Sequence, residues 1–150
     1  MMRRCLTLSI ACLVLLGATT QPASQPTRAT LTVEIVDVRN AKGDLIFGVF
    51  DQADGFPNKQ AKSVYWEVRP AKAKGKIVFT ANLPPGTYAA SVLHDENRSG
   101  DMDKGLGGIP KEGYGVTNNP KPRFRAARYD EATFELPPEG ASKKISMQYF

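Results

Sequence analysis

From Thr30 onward the apolar residues of this chain come in short alternating runs, each stopped by turn formers, and that rhythm excludes most folds. Leu31, Val33 and Ile35 alternate with Thr32 and Glu34, the period of a half-buried strand. Asn40 to Gly43 is a turn, and Leu45 to Phe50 reads as a more fully buried strand. After a loop from Asp51 to Asn58, Val64, Trp66 and Val68 alternate with Tyr65, Glu67 and Arg69. Ile77 and Phe79 predict a fourth strand beyond the Lys74-Gly75-Lys76 turn. Leu83-Pro84-Pro85-Gly86 is a turn that precedes a fifth, Thr87 to Leu93, with Tyr88, Ala90 and Val92 on one face. Phe134 between Thr133 and Glu135 marks a sixth, and Ile145, Met147 and Tyr149 a seventh. About seven short strands without a helical period predict an all-β fold, a single antiparallel β-sandwich over residues 30–150. Trp66, Phe47, Phe79 and Tyr88 stand at alternating positions as the expected centre of its core.

The start of the chain obeys a different rule. Met1 to Arg4 is basic, Cys5 to Ala18 is apolar, and small or turn-prone residues follow through Ala23. That order predicts a secretory signal peptide over residues 1–23, too short in its apolar part for a comfortable membrane span. Cys12 lies in the middle of the apolar run, so a lipid anchor on it is not expected. Residues 24–29 read as a flexible leader. Both cysteines, Cys5 and Cys12, leave with the signal, so the mature protein enters the periplasm or the medium without a disulfide. No thiol nucleophile or cysteine zinc site then remains, and the one histidine, His94, excludes a two-histidine site. Loss of Arg3 and Arg4 takes the basic count from 20 to 18 against 15 acids. The bases are scattered and the protein is exported, so nucleic acid is not an expected partner, and a monomer with no membrane span is.

Between His94 and Glu131 about 36 residues pass without a strong strand signal, long enough to expect a function there. The stretch opens with His94-Asp95-Glu96-Asn97-Arg98-Ser99-Gly100-Asp101-Met102-Asp103. Counting Asp95 as the first position, side-chain oxygens recur at alternate positions in Asp95, Asn97 and Ser99, then at Asp103, with Gly100 at the turn and Asp101 offering its carbonyl. That is the first part of an EF-hand-type calcium loop, and crowded carboxylates repel unless a cation neutralises them. Leu106 stands where the bidentate Glu belongs and no helix flanks the loop, so a true EF-hand is excluded. The expected metal ligands are Asp95, Asn97, Ser99, Asp101 and Asp103, and the expected cofactor is calcium. The competing reading is a solvated turn, for which Asp, Asn, Ser and Gly are equally suited. Farther on, residues 105–120 are glycine-rich without a phosphate-loop spacing, and the glycines beside Tyr114 are expected to permit tight bends.

Several of these segments recur together elsewhere. Phe50-Asp51 with Asp54-Gly55-Phe56-Pro57, Leu83-Pro84-Pro85-Gly86-Thr87-Tyr88, His94-Asp95-Glu96-Asn97 with Gly100 and Asp103, and Gly108-Ile109-Pro110-Lys111-Glu112-Gly113-Tyr114-Gly115 with Asn118-Asn119 resemble the bacterial DUF2141 family. The resemblance runs from about Leu31 to Tyr149. It implies an exported protein with a sandwich of the transthyretin-like, carboxypeptidase-regulatory or immunoglobulin-like kind, and it implies no activity. Arg98 and Ser99 depart from the more acidic or Asn/Gly-rich residues expected there, and Ser99 is a weaker oxygen ligand than Asp or Asn.

Three functions compete on these residues. The first is a non-enzymatic extracytoplasmic module with a structural calcium site, bound to a protein or envelope component. The second is a carbohydrate-binding module that stacks sugars on Tyr114, Phe124 and Tyr129 of the 109–129 segment. The third is a hydrolase built on His94 with Asp95 or Glu96. On a strand His94 and Asp95 point to opposite faces, which disfavours a catalytic pair, and no catalytic residue is assigned.

Overall fold

The computed structural model describes residues 27–71, 75–122 and 125–150, and in it the alternating segments pair into two sheets packed face to face. The chain forms β1 (Ala29–Val38), β2 (Asp44–Phe50), β3 (Tyr65–Pro70), β4 (Gly75–Leu83) and β5 (Gly86–Asp95). It continues through β6 (Gly113–Val116), the single-turn helix α1 (Tyr129–Ala132), β7 (Thr133–Leu136) and β8 (Ala141–Ser146). One sheet has the order β4-β1-β8, and the other has the order β3-β2-β5-β6. β6 and β7 share one edge of β5, β7 against Gly86 to Ala89 and β6 against Ser91 to His94. The expected signal segment, residues 1–23, and leader residues 24–26 lie outside the described residues. Among the described residues no helix is long and apolar enough to cross a membrane.

The sandwich is all-β as expected, with two corrections to its plan. β6 falls inside the stretch expected to be a loop, which brings the strands among the described residues to eight. β8 runs parallel to β1, from Leu31 opposite Ala141 to Val36 opposite Ser146, so the fold is not wholly antiparallel. Topology explains the direction. β7 ends with Leu136 opposite Gly86, at the end of the molecule where Ala29 opens β1 against Leu83. The short link through Gly140 sets the chain down beside Thr30, so β8 can only follow β1 in the same direction.

Alternate residues of β1, β2, β4, β5, β7 and β8 meet between the sheets. Leu31, Val33, Ile35, Leu45, Phe47, Val49, Phe79 and Ile145 are all fully buried there, and Phe47 stacks on Phe79 with centroids 4.7 Å apart. Each large side chain so buried contributes roughly 1.5–3 kcal/mol. Tyr88, Phe134, Leu136 and Met147 complete the layer, so the inward face expected for the last strand is present.

β3 reverses the expected phase. Tyr65 packs edge-on against Phe47, and the Arg69 guanidinium lies 4.6 Å from the Phe79 ring centroid. Val64, Trp66 and Val68 therefore point away from the core, and Trp66 is not one of its centrepieces. The cause is the free edge. Among the described residues no main-chain hydrogen bond joins β3 to β4. The Tyr65 hydroxyl and the Arg69 guanidinium reach the carbonyls of Thr80 (3.2 Å) and Val78 (2.9 Å) instead, with Glu67 hydrogen-bonded to both side chains. Inward-pointing charge of this kind blocks edge-to-edge pairing.

The opposite seam is closed by main chain. Beyond β8 the Met147 amide still donates to Val36, while Gln148 exchanges both of its main-chain hydrogen bonds with Tyr114 of β6. A Cβ at Gly113 would lie 2.1 Å from the Tyr149 ring, and one at Gly115 would lie 2.4 Å from Ile145. These two glycines are therefore strand residues that admit the C-terminal segment, and not the bends expected of them.

Candidate functional site

All five residues expected to ligate calcium sit in one loop at the end of β5, and the structure gives each of them a hydrogen-bond partner inside that loop. Asp95 is buried, and its carboxylate accepts the amides of Ser99 (3.0 Å) and Gly100 (2.7 Å). The Asn97 side chain accepts the Ser99 amide through oxygen (2.9 Å) and donates to Asp103 through nitrogen (2.6 Å). The Ser99 hydroxyl donates to the Asp101 carbonyl (3.0 Å), and the Asp101 carboxylate accepts the Met102 amide (2.7 Å). A further carboxylate, unmarked by any spacing rule, holds the loop from outside it. Glu112 is buried and accepts the amides of Glu96 (3.0 Å) and Asp103 (3.1 Å). Among the described residues no group of three or more His, Cys, Asp or Glu side chains is placed to hold a metal ion.

His94 faces the core from the strand position before Asp95, and it is fully buried. Its Nε2 lies 2.8 Å from the Lys42 carbonyl, which can only accept, so Nε2 carries the proton. Nδ1, 2.8 Å from the Tyr149 hydroxyl, then accepts from it, and the same hydroxyl accepts the Arg39 amide (3.2 Å). Burial raises the Tyr149 phenol above its ordinary value. Glu96 turns the other way, to an ion pair with Arg39 and a hydrogen bond from Asn40. The hydrogen bond from Arg39, aided by Asn40 and by the positive charge of Arg39, holds the Glu96 carboxyl at about 2. His94, Asp95 and Glu96 thus have three separate structural duties and do not meet over a common cavity.

A cavity lies elsewhere, on the outer face of the five-stranded sheet. Register places Trp66, Gly48, Ser91 and Val116 in one row across β3, β2, β5 and β6. The next row holds Val68, Ile46, Leu93 and Tyr114. The first row is low in its middle. Gly48 has no side chain, and a Cβ there would lie 2.8 Å from the Trp66 ring, so the indole occupies the space above Gly48. The Ser91 hydroxyl is turned down to the Pro57 carbonyl (2.6 Å). Loop residues 100–110 and the segment around Arg125 rise as walls, and the resulting groove has a volume of about 720 Å³. Ile46, Trp66, Leu93, Met102, Ile109 and Tyr114 give it an apolar lining, and Phe150 stacks on Tyr114 at its rim with centroids 5.9 Å apart. Burial raises the Tyr114 phenol. Of the charged lining, Arg125 is held by two hydrogen bonds to Glu131, while Asp101 and Lys104 have no ion-pair partner among the described residues.

Of the three aromatics expected to stack a sugar, Tyr114 and Tyr129 are not brought together. Tyr114 lines the groove, whereas Tyr129 packs edge-on against Phe56 in a small second cluster with Ala89, Val116, Ala127 and Ala132. Phe124 lies outside the described residues. Trp66, the residue that does join Tyr114, is expected in the core from its alternation, and only the reversed phase of β3 reveals it. A model of the family described as "Uncharacterized protein conserved in bacteria (DUF2141)" matches residues 33–146. No curated protein and no solved structure matches the chain.

Proposed function

The chain belongs to the DUF2141 family, and on that footing we propose that it is a non-enzymatic, exported binding module whose outer-face groove receives an apolar part of a partner. One observation carries the reading. A groove of about 720 Å³, within the range of small-ligand sites, is lined by Ile46, Trp66, Leu93, Met102 and Tyr114 and is left unfilled by the side chains of the described residues. The residues suited to catalysis support it from the other side. Both His94 nitrogens, the Asp95 carboxylate and the Glu112 carboxylate are all engaged in holding backbone or core. The basic, apolar and small order of residues 1–23 supports export. A sugar fits this groove less well than an apolar group, because the Ser91 hydroxyl and the Arg125 guanidinium are already committed to Pro57 and Glu131.

Trp66 is the one tryptophan of the chain, so its emission reports on the groove alone. An uncharged naphthylamine dye, titrated onto the protein, is expected to quench Trp66 saturably, and Leu93→Glu is expected to abolish the quenching while melting stays cooperative. Trp66 emission unmoved by saturating dye overturns the reading.

A further inference from the structure

The groove does not stand alone on its face. Six large apolar residues are exposed among the described ones: Val64, Val68, Val78, Leu106, Ile109 and Phe150. Val64, just before β3, and Val68 within it flank Trp66, Ile109 and Phe150 line the groove, and Leu106 caps the loop that forms its wall. Only Val78, on the other sheet, is apart. Apolar residues gathered on one face in this way mark an interaction surface.

The wall is itself a projection. Gly105 donates to Ile109, Lys111 donates to Asp103, and Lys104 bridges Pro110, so residues 103–111 form a narrow finger. Leu106 at its tip is 96% exposed, and nothing lies within 4 Å of the Cβ positions of Gly107 and Gly108. An apolar finger thus stands beside an apolar groove on one surface of one chain. At the foot of the finger Asp101 and Lys104 carry opposite charges, and neither has an ion-pair partner among the described residues. A two-fold axis places a surface against itself, so a projection beside a hollow, and a cation beside an anion, are each self-complementary.

We propose that the groove is occupied by a second copy of this chain: two molecules pair about a two-fold axis, each inserting Leu106 into the other's groove and setting its Lys104 against the other's Asp101. This rests on the groove being a binding surface, and it names the partner. The finger is small, so the pair is a weak, concentration-dependent one rather than an obligate dimer.

Sedimentation of the purified protein across micromolar to millimolar concentration tests it. The expected result is a weight-average mass that climbs from one chain toward two, with a blue shift of Trp66 emission in step. Leu106 is fully exposed, so Leu106→Asp keeps the fold and should hold the protein monomeric. Asp101→Lys and Lys104→Asp should each weaken pairing about tenfold or more, and the double swap should recover it. Monomer at every concentration, pairing that survives Leu106→Asp, or a double swap that fails to recover it overturns the proposal. The naphthylamine titration separates the two claims. Quenching of Trp66 in a protein that stays monomeric removes the self-pairing and leaves the groove, whereas loss of the dye response removes the groove reading itself.

Discussion

Glu96 joins two parts of the chain, since it follows the end of β5 and both pairs with Arg39 and accepts a hydrogen bond from Asn40 in the turn beyond β1. Its carboxyl is held at about 2 against an ordinary 4.5, so the folded state prefers the ionised form. A depressed carboxyl contributes stability that is present above its unfolded value and is lost as pH falls through the folded one. Acid unfolding should therefore show a stability loss between pH 4.5 and about 2, absent in Glu96→Gln. Near pH 7 that variant should be less stable by about 1–2 kcal/mol, the linkage value reduced by solvent screening. Denaturant titrations at pH 7 and at pH 3 measure both. Equal sensitivity of the two proteins to acid would show that Arg39 and Glu96 are only neighbours. Trp66 makes a different point about single residues. Its size argues for the core, and its position above Gly48 follows from what Tyr65 and Arg69 do on the other side of the strand.

At the scale of the element, the acidic loop is organised by carboxylates that hold amides. Glu112 fixes both ends of the loop through Glu96 and Asp103, and Asp95 fixes its bend through Ser99 and Gly100. Glu112→Ala leaves two amides without acceptors and should cost about 2 kcal/mol or more. Hydrogen exchange should show lost protection at Glu96 and Asp103 before any part of β5. A loop whose polar groups satisfy one another has little to gain from an ion, so millimolar calcium is expected to leave the melting temperature where a chelator leaves it. A calcium-dependent rise abolished by Asp103→Ala would instead restore the calcium loop that the spacing of Asp95, Asn97, Ser99 and Asp103 suggests. Strands were legible in the sequence where side chains alternate in kind, as in β1 and β5, or run continuously apolar, as in β2. β6 was hidden because Gly113 and Gly115 supply no side chain to alternate. The phase of β3 misled because its inward residues, Glu67 and Arg69, are charged. The direction of β8 leaves no trace in Ile145 and Met147, which would be buried either way. The groove was illegible for a related reason: its walls come from segments far apart in sequence, and no local pattern records their meeting.

Across the whole molecule, the segment after β8 ties one sheet to the other. Met147 bonds to β1, Gln148 to β6, and Tyr149 to His94. Gly113→Ala places a methyl 2.1 Å from the Tyr149 ring, so the ring must leave. Overpacking of that order should cost about 1–3 kcal/mol. The loss should appear in the melting curve together with a changed Trp66 environment, because Phe150 moves with Tyr149 and Phe150 borders the groove. A Gly113→Ala protein with unaltered stability would mean that the ring has room the packing does not show.

The two seams of the sandwich are unlike. One is sewn by peptide groups of Met147, Gln148 and Tyr114, and the other is buttoned by the side chains of Tyr65 and Arg69. Peptide stitches yield only when strands separate, whereas a side-chain button releases by a rotamer change. The molecule is thus a book with its spine along β6 and the C-terminal segment and its fore-edge along β3 and β4. Opening is therefore expected first at the fore-edge, and Trp66 stands on the page that would turn.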